Sequence, residues 1–102
     1  MLEKIKLSMR IFHNAIDTDI QFNIDVCMLD LKRVGVHETV AVNTSEDPLI
    51  VKAAELYCKW QNNFQGKGDQ YNKAYEKLRD AISLCESYIN EKSITESGGS
   101  NV

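Results

Sequence analysis

Apolar residues recur along this chain at helical spacing in four blocks. Leu2, Ile5, Met9 and Phe12 stand three and four apart, and Leu7 with Ile11 widens the stripe, which predicts a short first helix from Leu2 to about Phe12. In the second block Ile20, Ile24, Cys27, Met28, Leu31 and Val34 form another stripe. Asp17, Thr18 and Asp19 precede it, where side-chain acceptors cap free amides. Lys32 and Arg33 suit the carbonyl end of that helix, and Gly35 suits a left-handed closing residue, so the second helix is expected to end near Val34.

Asp47-Pro48 opens the third block, the aspartate as cap and the proline at a position whose amide is not needed. Leu49, Ile50, Val51, Ala53, Ala54, Leu56, Tyr57, Cys58 and Trp60 cover most of the circumference that follows, as suits the centre of a bundle or a surface under a partner. Phe64 to Gly68 is a glycine-bearing break. Asp69 is then expected to cap a fourth, strongly amphipathic helix carrying Tyr71, Ala74, Tyr75, Leu78, Ala81, Ile82 and Cys85. Lys73, Glu76, Lys77 and Asp80 make its solvated face.

Between the second and third helices, Val40 and Val42 alternate with polar residues, a pattern that allows either a short strand or an extended connector; one strand alone cannot sustain a sheet. After Ile89 the chain turns polar and glycine-bearing, with too little apolar surface to offset the entropy of ordering. The fold expected is all-α: a small bundle of about four helices over residues 1–89, an extended connector between helices two and three, and a flexible C-terminal tail over 90–102.

Length and charge narrow the function. At 102 residues one domain is expected, burying about two-thirds of its unfolded surface. Twelve Lys and Arg against fifteen Asp and Glu leave a net charge of −3, which argues against affinity built on neutralising phosphates and so against sequence-specific nucleic-acid binding. The apolar runs fall far short of the roughly 20 residues of a membrane span, and no apolar block near Met1 resembles a secretory signal, so the chain is expected to be cytosolic when made. Cys27, Cys58 and Cys85 are odd in number and lie in apolar patterns, as reduced thiols do.

No catalytic, cofactor-binding or metal-binding residue stands out. His13 and His37 lack zinc-ligand spacing, and the cysteines lie in stripes that disfavour the thiolate. Asp17 and Asp19 are explained by capping, and Gly66-Lys67-Gly68-Asp69 lacks the Walker spacing of a phosphate loop. Tyr57, Trp60 and Phe64 read as core first and as an oligomer interface second. The chain is therefore expected not to be an enzyme and to need no cofactor.

The stretch Asp47-Pro48-Leu49-Ile50-Val51-Lys52-Ala53-Ala54-Glu55-Leu56-Tyr57-Cys58-Lys59-Trp60, then Phe64, then Tyr75-Glu76-Lys77-Leu78-Arg79-Asp80-Ala81-Ile82-Ser83-Leu84, resembles small phage head-tail connector proteins, also called head-completion or adaptor proteins. Ile5-Lys6-Leu7-Ser8-Met9-Arg10-Ile11, the acidic group Asp17 to Asp19 and the closure at Gly35-Val36 extend the likeness over roughly residues 2 to 89. The resemblance implies an all-helical subunit that assembles, typically twelvefold, into a ring under the portal vertex, receives the stopper or tail, lines the DNA exit channel, and works by shape. It places the protein in the virion at the head-tail interface, and in the host cytoplasm before assembly. Its partners would be copies of itself, the portal, and a stopper or tail-completion protein.

In such proteins a C-terminal arm can become ordered against the portal. The partner-binding residues expected here are Val40 and Val42 in the connector loop and Tyr88, Ile89, Ile94 and Val102 toward the end of the chain. The alternative from another class is a bacterial interaction or regulatory domain that binds a partner helix through the broad apolar surface of its third helix.

Overall fold

The computed structural model describes residues 1–89, and within them the chain forms α1 (Leu2–Ser8), α2 (Asp17–Arg33), α3 (Pro48–Gln61), a 3-10 turn (Phe64–Gly66), α4 (Gly68–Ser83) and a short α5 (Glu86–Ile89). No strand occurs among the described residues. The tail expected over 90–102 lies outside them.

The first helix is shorter than its apolar stripe. Arg10 adopts a left-handed φ of 59°, its amide bonding the Leu7 carbonyl while the Ile11 amide bonds back to Lys6. This paired closure normally uses glycine, so no local residue signals that the helix stops at Ser8. Ile11 and Phe12 therefore lie in the irregular link beyond it. Lys6 is only 4% exposed, and its ammonium reaches Asp17 and Asn14, each at 2.8 Å, tying α1 to the start of α2.

That contact also explains why Asp17 does not cap. Ile16 holds the cap position of α2 without a side-chain bond, and Asp17 and Asp19 lie in the first turn, where the helix dipole favours them. The other end closes as expected: Gly35 sits at φ 110°, its amide bonds Lys32, and the Val36 amide bonds Leu31. Val36 and Leu31 are both buried, which completes the closure with an apolar contact.

Asp47 caps α3, accepting from the amides of Leu49 at 2.9 Å and Ile50 at 3.5 Å. The start of α4 differs from expectation, because Asn63 and not Asp69 supplies the acceptor: its Oδ1 takes the Gly68 amide at 2.8 Å. A Cβ on Gly68 would lie 2.7 Å from that oxygen and 3.3 Å from the Trp60 carbonyl, so glycine is what lets the cap approach. Asp69 remains in the first turn of α4.

The connector from α2 to α3 is a run of turns: Val40 and Ala41 both donate to the His37 carbonyl, and Ser45 donates to that of Val42. Its Val36 and Ala41 enter the core. α3 takes the central place, packing on α1, α2 and α4. Its inward side is small (Ala53, Ala54, Cys58, with Ile50), so the neighbouring backbones approach closely. Ile5 of α1 and Met9 just beyond it, Ile20, Ile24, Cys27, Met28 and Leu31 of α2, and Tyr75 and Ile82 of α4 complete the core.

Candidate functional site

α2 is apolar on two sides. Ile24 and Leu31 face inward with no exposure, whereas Phe22 and Leu29, almost directly opposite at 3.6 residues per turn, are 65% and 61% exposed. Half-buried Val26 lies between them along the helix. Single exposed apolar residues are ordinary; a stripe of them over two turns is a candidate contact surface.

A groove runs along each flank of this ridge. One, of about 310 Å³, is lined by Val26, Leu29, Asp30, Arg33, Tyr57, Trp60 and Arg79. The other, of about 360 Å³, is lined by Asp25, Met28, Leu29, Lys32, Ala41, Val42 and Asn43, so Leu29 forms the crest between them. A third hollow lies elsewhere, lined by Glu3, Lys6, Leu7, Ile11, Phe12 and Asn14, where Leu7 is 66% and Phe12 79% exposed.

The wall of the first groove is fixed by a polar cluster between α2 and α4. Fully buried Tyr75 donates its hydroxyl to Asp30 Oδ2 at 2.7 Å, and the Cys27 thiol reaches the Tyr75 oxygen at 3.8 Å. Arg79 pairs with Asp30 Oδ2 at 3.3 Å, and Arg33 with Oδ1 at 2.7 Å. Burial by itself would push the Asp30 carboxyl up, but hydrogen bonds from Tyr75, then Arg33 and Arg79, outweigh it and hold the group below the usual carboxylate range. Burial, then the neighbouring Cys27 and Asp30, push the Tyr75 phenol well above its ordinary value. The result is two guanidiniums locked at the groove edge beside an aromatic wall. Tyr57 meets Trp60 edge-on at 5.3 Å and Tyr75 at 5.2 Å.

The residues expected to bind partners divide. Val42 lines the second groove, and half-buried Val40 packs against the core. Tyr88 is engaged within the fold: its hydroxyl donates to Asp47 at 2.9 Å, and its carbonyl accepts the His37 amide at 2.8 Å. Ile89 is half-buried at the end of α5. Ile94 and Val102 lie outside the described residues. Trp60 and Tyr57 serve the core with one edge and the first groove with the other, while Phe64 turns away to Tyr71 at 6.2 Å.

Phe22, Val26 and Leu29 were absent from that expectation. Their spacing of four and three is helical, but the inner stripe of the same helix is longer and masks it.

Among the described residues the histidines and cysteines are engaged locally. His13 and His37 each accept through Nδ1 an amide of their own turn, from Ala15 and Thr39. Burial pushes the Cys27 and Cys58 thiols up to about 12, away from the thiolate. Among the described residues no group of three or more His, Cys, Asp or Glu side chains is placed to hold a metal ion. No helix among them is long and apolar enough to cross a membrane.

Against models of protein families, residues 1–93 match the one described as Phage connector protein. No curated protein and no solved structure matches the chain.

Proposed function

This chain belongs to the phage connector protein family, and on that premise we propose that it is a head-tail connector subunit that forms a ring, twelvefold when seated on the portal, and carries the stopper or tail-completion protein. In this role it lines the path of exiting DNA and makes or breaks no covalent bond. It is made in the host cytoplasm and ends in the virion at the head-tail interface.

The family match over residues 1–93 carries the reading. The apolar ridge of Phe22, Val26 and Leu29 supports it, since a subunit that works by being gripped needs apolar surface left over once its own core is filled. The net charge of −3 agrees with a lumen that lets DNA slide without holding its phosphates. Val42 belongs to the subunit contacts in this proposal, and Ile94 and Val102 to the portal contact.

Electron microscopy of the full chain mixed with its cognate portal tests the reading. Rings bound to the portal are the expected result. Absence of both rings and portal complexes at high subunit concentration overturns it.

A further inference from the structure

α4 ends at Ser83 without the usual chemistry of a helix end. No glycine closes it, no proline follows it, and no basic residue stands in its last turn. Tyr71, Tyr75, Leu78, Ile82, Cys85 and Ile89 stand four, three, four, three and four apart, so the apolar stripe of α4 runs through the break and into α5 in phase. At the break Leu84 keeps a near-helical backbone, φ −99° and ψ −1°. The amides of Leu84, Cys85 and Tyr88 each reach three residues back, to Ala81, Ile82 and Cys85, as in a tightened turn. The bend leaves Leu84 83% exposed, more than any other large apolar side chain among the described residues.

The reason for the bend lies outside the helix. The Tyr88 hydroxyl donates to both Asp47 oxygens, at 3.1 and 2.9 Å, its carbonyl accepts the His37 amide at 2.8 Å, and its side chain packs against the core. These contacts tie α5 to the start of α3 and to the connector between α2 and α3.

We propose that α5 is a latch with two seats: the bent one just described, and a straight one in which residues 68–89 form a single helix of about 33 Å. In the straight form the amides of Cys85 and Tyr88 reach four residues back, to Ala81 and Leu84, and Leu84 gains Tyr88 as its neighbour one turn on. Asp47 and the His37 amide are then uncovered. The exchange trades tertiary hydrogen bonds for helical ones, so a molecule that binds the vacated start of α3 or the lengthened helix draws the chain to the straight form. The latch is a property of one chain and stands apart from the connector reading.

The test is NMR on the full chain, reading the α-carbon shifts of Leu84 to Ile89, which separate helix from coil. In Tyr88→Ala these shifts are expected to become helical without a break, while those of α1 to α3 stay as in the parent. Adding Leu84→Gly is expected to lower the straight population about fivefold, because glycine disfavours a helix interior. Where Tyr88→Ala opens the bundle, Tyr88→Phe keeps the ring and loses only the bonds to Asp47. Its straight population is expected to exceed the parent's about tenfold, read by relaxation dispersion at Leu84 and Cys85.

The latch is overturned if α5 in Tyr88→Ala melts to coil instead of joining α4, or if it keeps the bent signature of the parent. It is equally overturned if Leu84→Gly changes nothing, or if dispersion in Tyr88→Phe does not rise above the parent's. Rings formed or not formed by the parent on its portal decide the connector reading separately.

Discussion

Tyr75 shows how much one residue decides here. It sits in the apolar stripe of α4 and is fully buried. Its hydroxyl then requires a partner, and Asp30, forty-five residues away on another helix, supplies it. No local pattern announces that pairing, nor the burial of Lys6 against Asp17. Tyr75→Phe is expected to cost about 1–2 kcal/mol in urea unfolding at neutral pH, the worth of a hydrogen bond to a charged group. The pH dependence has a definite sign. Because Asp30 is held below its unfolded value, its contribution is present above the usual carboxylate pKa and is lost as pH falls through the folded value. The gap between parent and Tyr75→Phe is therefore expected to narrow as pH is lowered from about 5 toward about 2. A gap that stays constant across that range refutes the assignment.

Helix boundaries were legible where residue chemistry is distinctive and illegible where packing decides. Asp47-Pro48 and Gly35 gave the start of α3 and the end of α2, because capping oxygen, missing amide and absent Cβ leave few alternatives. Arg10 carries no such signature, so the apolar stripe runs four residues past the end of α1 at Ser8. Arg10→Gly relieves the left-handed strain and is expected to raise stability by up to about 1 kcal/mol, seen as a higher denaturation midpoint with an unchanged slope. The Asp47 carboxylate serves two elements, capping α3 and accepting from Tyr88. Asp47→Ala is expected to cost about 1–2 kcal/mol, and Tyr88→Phe about half of that, since it keeps the cap. Equal losses in the two variants would show that the cap contributes nothing.

For the whole molecule, the order of the four longer helices and the all-α class follow from periodicity, because one apolar face per helix suffices to arrange a small bundle; the single turn of α5 carries no period of its own. The surface left for a partner was harder to read. It depends on which of two apolar stripes α2 turns inward, and only the packing of Ile24 and Leu31 against α3 resolves that. The central position of α3 has a measurable effect: in native-state hydrogen exchange its amides are expected to be the slowest, with α1 and α5 opening first. Uniform protection across the helices would contradict that hierarchy.

The double character of α2 also sets a limit on evolution and on handling. On the proposed connector role, whatever hardens its outward stripe against water, by replacing Phe22 or Leu29 with polar residues, is expected to give a better-behaved solitary protein and a poorer building block. Solubility and assembly are thus opposing selections on the same two turns, and a preparation engineered for shelf life there is the wrong one in which to look for the virion part.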